Sequence, residues 1–235
     1  MPPLTLAHKI NQFNEQLRFT GHLPAGIGVM NPFQDSPVAL AASAAFYQKY
    51  YNDTHPRHLI LGINPGRFGA GVTGIPFTDS KRLVQLCGLP FNGPVTHEPS
   101  SVFVYQVIEA FGGPARFYAT FYINSLSPLG FTAQKEKGRV VNYNYYDSPA
   151  LQQAVQDFII WNIQQQIALG MYTHTCICLG TGKNEAFLRR LNDRYGFFNQ
   201  VVALEHPRFV MQYKAKYLSA YVNKYVRVLT KVSGT

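Results

Sequence analysis

The sequence predicts an α/β fold, in which a central, mostly parallel sheet of four strands lies between two layers of helices as a three-layer α/β/α sandwich. Four short runs rich in β-branched and aromatic residues predict the strands, at residues 58–64, 117–124, 174–180 and 200–206. Helical patterns fill the intervals, and such alternation is typical of parallel sheets. The runs are largely apolar throughout, which indicates helices on both faces.

The remaining elements follow from periodicity and from residues that start or stop helices. Helices are predicted at residues 5–17, 36–51, 81–89, 101–113, 148–170, 183–196 and 210–224. The Tyr- and Asn-rich segment 139–149 reads as a surface loop before the long helix. Neither an internal repeat nor a linker interrupts the chain, so we predict one domain over residues 1–235.

Composition restricts the possible functions. The 235 residues carry 21 basic and 12 acidic side chains, a net charge of +9, which favours a polyanionic partner over ordinary basic solubility. Three cysteines predict a reducing, cytosolic compartment and are too few for a four-cysteine cluster or a closed zinc site. We therefore predict no metal or other cofactor. Nothing approaches the roughly 20 apolar residues of a membrane span.

The residues at the ends of the predicted strands are the candidates for function, because open parallel sheets bind ligands outside the carboxyl ends of their strands. They are Asn64, Asn124, Gly180 and His206. Carboxamides can pair with the edge of a heterocycle, and a histidine can donate a hydrogen bond to an oxygen that gains charge. The chain has no G-x-S-x-G nucleophile elbow, and neither glycine-rich turn has nucleotide-binding spacing.

The segment GINPGRFGAGVTGIPF, residues 62–77, resembles the first motif of the uracil-DNA glycosylase superfamily, and HPRF, residues 206–209, resembles the second. The first motif is most similar to that of the single-strand-selective monofunctional (SMUG) branch, whose form is Gly-Met-Asn-Pro-Gly-x-Phe-Gly-Met-x-x-Thr-Gly-Val-Pro-Phe. The predicted order of strands and helices also fits the family's fold. The resemblance indicates a divergent bacterial SMUG subfamily.

The resemblance implies catalytic roles for Asn64, which would position the hydrolytic water, and for His206, which would stabilise charge at O2 of uracil. Phe77 would stack on the extruded base. Gly66 would leave room near C5 of the base, so that C5-modified uracil also fits.

The resemblance also implies contacts around the base. Gly62 and Ile63 are assigned to the base site, and Asn124 would pair with the edge of uracil. The segment after the second strand is one residue longer than the family's form, so Ser125 could share or take over that contact.

Six residues are expected to contact DNA. Arg208 and Phe209 are the candidates for the wedge that fills the vacated base stack. Phosphate contacts are expected from the basic residues near the second motif, Arg208, Lys214, Lys216, Lys224 and Arg227. Tyr213, Tyr217, Tyr221 and Tyr225 recur at a helical period, which favours packing in the core.

The first motif carries Asn64 where faster superfamily members carry Asp, so we expect catalysis to rely on helping uracil leave as an anion. The expected function is monofunctional excision of uracil from single- and double-stranded DNA, by a monomer in the bacterial cytosol. Two alternatives are a hydrolase of small nucleosides and a non-catalytic nucleic-acid binder with this fold. Pocket depth would decide among uracil, hydroxymethyluracil, xanthine and hypoxanthine.

Overall fold

The computed structural model describes residues 3–234, and its main sheet is the predicted one. Four parallel strands pair in the order β3-β2-β6-β7. The strands are β2 (Arg57–Gly62), β3 (Phe121–Ser125), β6 (Met171–Leu179) and β7 (Gln200–Leu204). The α/β class and the four-stranded parallel sheet are confirmed.

Helices cover both faces of this sheet. They are α1 (Leu6–Gln16), α2 (Pro32–Asp35), α3 (Pro37–Tyr50), α4 (Ala70–Thr73), α5 (Ser80–Gln85), α6 (Pro99–Ala110), α7 (Gly113–Thr120), α8 (Pro149–Ala168), α9 (Lys183–Tyr195), α10 (Pro207–Tyr213) and α11 (Leu218–Ser233). Ile60, Ile123 and Ile177 pack on one face with α6 and α11, while Tyr122 meets α3 on the other. No helix among residues 3–234 is long and apolar enough to cross a membrane.

Four helices within residues 3–234 begin with the same local signal, a capping side chain followed by proline. Asn31, Ser36, Ser148 and His206 each accept a hydrogen bond from a backbone N–H in the first turn of α2, α3, α8 and α10. Proline suits the first helical position because its missing N–H would have no partner there. The helix predicted at 183–196 ends as expected at Gly196, whose φ of 62° is left-handed.

A second, antiparallel sheet was not predicted. Its strands are β1 (Ile27–Met30), β4 (Gly130–Gln134) and β5 (Val140–Tyr143), in the order β1-β4-β5. The expected surface loop at 139–149 therefore contains a strand. Its Tyr and Asn residues lack the period-two apolar pattern of a half-buried strand, which explains why the sequence favoured a loop.

Two further predictions were wrong in part. The strand expected at 117–124 begins only at Phe121, because residues 113–120 form α7. The helix expected at 210–224 is broken at Lys214, which has non-helical φ and ψ of −127° and 18°. Because of this break, Tyr213 and Tyr217 are 63% and 53% exposed, whereas Tyr225 is buried. The tyrosines do not form one core stripe.

Candidate active site

A cavity of about 240 Å³ opens at the carboxyl ends of β2, β3 and β7. This is the edge of the sheet where the sequence predicted a site. Most of the residues predicted to act on the base or the DNA line the cavity: Ile63, Asn64, Gly66, Phe77, Ser125, His206, Arg208 and Phe209. Gly62, Asn124, Lys214 and Lys216 do not line it.

Asn64 is held by the backbone of β5 and of the residues after it. Its Oδ1 accepts a hydrogen bond from the Tyr145 N–H at 3.0 Å, and its Nδ2 donates to the Tyr143 carbonyl at 3.3 Å. The Tyr145 N–H can donate only to the amide oxygen, and the Tyr143 carbonyl can accept only from the amide NH₂ group. These two contacts therefore assign the oxygen and the nitrogen of the Asn64 carboxamide. The Asn64 oxygen keeps one lone pair for a water.

Phe77 owes its position to Gly62. The side chain of Phe77 lies so close to Gly62 that a Cβ there would be 2.8 Å from Cζ of the ring. Phe77 itself has a φ of 54°, a conformation that costs free energy for a bulky residue. Gly62 therefore contacts the tip of the Phe77 ring and does not line the cavity, and its lack of a side chain makes room for the ring in this position.

His206 is the N-cap of α10, and its neighbours define its protonation. Nδ1 of the ring accepts a hydrogen bond from the Arg208 backbone N–H at 3.1 Å, so a neutral ring carries its proton on Nε2. Burial, helped by the positive charge of Arg208, lowers the pKa of His206 to about 4. The imidazole is consequently neutral at pH 7. Its ring centroid lies 5.7 Å from that of Phe77.

The pleat of β3 places Asn124 outside the cavity, and its expected contact with the base stays a prediction. Neighbouring residues of a strand face opposite sides of the sheet, and the side chain of Asn124 donates to the Tyr122 hydroxyl at 2.8 Å, away from the cavity. Ser125 lines the cavity instead, with no hydrogen bond to its hydroxyl from the described residues. Of the two residues that the sequence left open, the structure brings Ser125 to the site.

The second sheet contributes residues that sequence reasoning missed. Asn142 on β5 lines the cavity, and its Oδ1 accepts a hydrogen bond from the Arg67 N–H at 3.0 Å. Its Nδ2 lies beside Gly66 and makes no hydrogen bond within the described residues. Asn144 and Tyr146 also reach the cavity. The Tyr/Asn-rich composition of 139–149 was a visible signal, but the loop interpretation hid its role.

Glu98, just before α6, is another residue that the sequence did not indicate. Glu98 lines the cavity, and Oε1 of its carboxyl group lies beside Gly66, which lines the cavity too. Burial first, and then the negative charge of Asp79, raises its pKa to about 7, although Arg208 opposes this shift. The first motif carries no carboxylate, yet the cavity receives one from another part of the chain.

The rim of the cavity is basic and aromatic. Arg208 is exposed at the start of α10, and Phe209 is 41% exposed with its ring 5.4 Å from that of Tyr213. Lys216 is exposed beside the ring of Tyr217, whereas Lys224 is paired with Glu205 at 2.8 Å. Lys214 and Lys216 lie outside the cavity, close along the chain to this rim.

Comparison with known proteins gives a consistent result. A family model of the uracil DNA glycosylase superfamily matches residues 48–230. The crystal structure of wild-type SMUG2 from Pedobacter heparinus is 54% identical in sequence and superposes with a TM-score of 0.97. That match covers 99% of this chain and 100% of the other. A search of curated proteins returns no match.

Proposed function

Because the chain belongs to the uracil DNA glycosylase superfamily, we propose that this DNA glycosylase excises uracil from DNA without cutting the strand. The observation that carries the proposal is the convergence of Asn64, Phe77, Ser125 and a neutral His206 on one cavity. Together they offer a stacking face, hydrogen-bonding groups for a base and an acceptor for a water.

In the proposed reaction, the bond between C1′ of the sugar and N1 of uracil breaks first, and its electron pair leaves with the base. The Nε2–H of His206 donates a hydrogen bond to the uracil oxygen on which negative charge develops. A neutral donor stabilises that charge without giving up its proton. Since the hydrogen bond strengthens as charge develops, it favours the transition state over bound substrate.

Water completes the hydrolysis. The Oδ1 of Asn64 keeps a lone pair that can accept a hydrogen bond from the water whose oxygen bonds to C1′. One water proton stays on that oxygen and the other ends on the released base. The products are an abasic sugar and free uracil, and no lysine Schiff base takes part.

Recognition of the base would involve both the main sheet and the second one. Phe77 would stack on the ring, while the free hydroxyl of Ser125 and the free Nδ2 of Asn142 would contact its edge. Gly66 also lines the cavity, where the absence of a side chain would keep room for a substituent at C5 of the base.

The substrate is DNA from which the target base must be extruded, at a cost of a few kcal/mol when it is paired. Arg208 and Phe209, exposed at the rim, would fill the vacated stack, and Lys214 and Lys216 would contact flanking phosphates. The net charge of +9 favours such binding. Action as a monomer in the bacterial cytosol stays a prediction.

The test measures uracil release from labelled single- and double-stranded oligonucleotides with enzyme in excess, followed by alkali. We expect strand breaks only after alkali, because a monofunctional enzyme leaves an abasic site. His206→Ala should lower the single-turnover rate by about 10²–10³-fold, the usual cost of losing one such donor. His174→Ala, which removes an exposed histidine on β6, is the matched control and should keep the wild-type rate.

The same assay separates the alternatives. Release of uracil from free deoxyuridine but not from oligonucleotides would favour a nucleoside hydrolase. Binding of the oligonucleotide without release of any base would favour a non-catalytic binder. Breaks before alkali would contradict the monofunctional reaction.

A further inference from the structure

The carboxyl group of Glu98 is seated on two glycines of the first motif. A Cβ on Gly69 would overlap Oε2 of Glu98, and a Cβ on Gly66 would be 3.0 Å from Oε1. The absence of side chains at these two positions makes the space that the carboxyl group occupies. Any other residue at Gly69 would force the Glu98 side chain to move.

This carboxyl group has no structural task that accounts for its position. Glu98 stands at the N-cap of α6, yet its side chain makes no capping hydrogen bond. Only its backbone is engaged: the N–H donates to the Asp79 carboxylate at 2.7 Å, and the carbonyl accepts from the Val102 N–H at 3.1 Å. Among residues 3–234 no group donates a hydrogen bond to either carboxyl oxygen, so the hydrogen-bonding capacity of Glu98 is directed to the cavity that it lines.

The charged groups around Glu98 come from two elements, α5 and α10. Asp79, the N-cap of α5, faces it with a negative charge that is shared with Arg82, 3.0 Å away. Arg208 on α10 faces it with a positive charge, and His206 at the start of α10 is neutral.

Other titratable side chains lie near Glu98 or along the cavity. His97 is hydrogen-bonded to Arg82, and Arg67 donates a hydrogen bond to the Val140 carbonyl. Tyr146 and Tyr213 line the cavity. Burial and Asp79 outweigh Arg208, and the pKa of Glu98 rises to about 7. The protonated form of Glu98 is therefore well populated at neutral pH.

We propose that Glu98 is a base-contacting residue that works in its protonated form, in which the neutral carboxylic acid donates a hydrogen bond to the bound base. This inference rests on the proposed function. An ionised Glu98 cannot donate, and its negative charge would share the enclosed cavity with a base that leaves as an anion. The proton stays on Glu98 throughout, so the residue neither activates the water nor protonates the leaving base.

The test compares single-turnover release of uracil from pH 6.0 to 8.5 in three proteins. The wild-type rate should fall about 30-fold over this range, as the protonated fraction of a group with a pKa of about 7 does. Glu98→Gln offers a donor at every pH and should be active and nearly independent of pH. Glu109→Gln, an exposed position on the same helix, should follow the wild type.

A fourth protein separates hydrogen bonding from charge. Glu98→Met keeps the length of the side chain but neither donates nor ionises, so its rate should be independent of pH and well below that of Glu98→Gln. Neither substitution removes a hydrogen bond within the described protein, and thermal unfolding checks that both variants fold.

Three results would overturn the inference: a wild-type rate that does not fall with pH, a Glu98→Gln profile that still falls, or Glu98→Met as fast as Glu98→Gln. A wild-type rate that rises with pH and is abolished by Glu98→Gln would make Glu98 a general base instead. Absence of uracil release at every pH would refute the proposed function itself, which distinguishes the two failures.

Discussion

The contact between Gly62 and Phe77 gives a prediction whose size follows from the structure. In Gly62→Ala the new methyl carbon would be 2.8 Å from Cζ and 2.9 Å from Cε2 of the Phe77 ring, and 3.3 Å from the Ser125 hydroxyl oxygen. Nonbonded carbons prefer about 3.5–4.0 Å, so the ring must retreat by roughly 1 Å. The backbone at Phe77 already has an unfavourable φ of 54°, which leaves little room for it to relax.

We expect Gly62→Ala to lose both activity and stability. Overpacking of this kind costs about 1–3 kcal/mol of unfolding free energy. Displacing a group that positions the substrate by about 1 Å can cost about 100-fold in rate. The measurements are single-turnover uracil release and urea denaturation of the same preparation.

The double variant Gly62→Ala/Phe77→Leu is the control, because the shorter side chain removes the overlap. Its free energy of unfolding should equal that of Phe77→Leu alone, and its rate of uracil release should stay below that of the wild type. A folded Gly62→Ala protein that releases uracil at the wild-type rate would refute the idea that Gly62 exists to seat this ring.

Three further predictions concern protonation, water and DNA. His206 becomes protonated below about pH 6.5 in the unfolded chain but only below about pH 4 in the folded protein. The free energy of unfolding of the wild type should therefore decrease as the pH drops through this window. Denaturation at each pH should show a smaller decrease for His206→Gln. An equal loss in both proteins would contradict the lowered pKa. Asn64→Ala should slow single-turnover release by about 100-fold or more, because the water loses its acceptor, and an unchanged rate would remove Asn64 from the mechanism. DNA affinity should fall steeply with salt, and Lys216→Ala should reduce the slope of log affinity against log salt by about 1. Lys224→Ala should leave this slope unchanged, because Lys224 is already paired with Glu205. Equal slopes for wild type and Lys216→Ala would exclude Lys216 as a phosphate contact.

The sequence predicted the main sheet well because its strands carry a strong local signal. Strands such as β2 and β6 are covered on both faces of the sheet, and a continuous run of apolar residues is typical of strands that are buried in this way. Helices α3, α8 and α9 carried caps or glycine stops that are readable locally. The boundaries between elements were predicted less well, as at α7, where an aromatic-rich helix is followed directly by β3.

By itself, the sequence determined the α/β class, the parallel sheet and the edge at which Asn64 and His206 would meet. It could do so because the carboxyl ends of parallel strands lie at one edge whatever the details of packing. Only the tertiary structure decided which neighbouring side chains face the cavity. The register of the β3 pleat turns Asn124 away and Ser125 inward, and a one-residue shift would reverse them.

The tertiary structure also brought Asn142 and Glu98 to the site from segments distant along the chain. Their roles depend on what surrounds them. Desolvation and neighbouring charge set the protonation of Glu98 and His206, and both arise only when separate elements pack around one space.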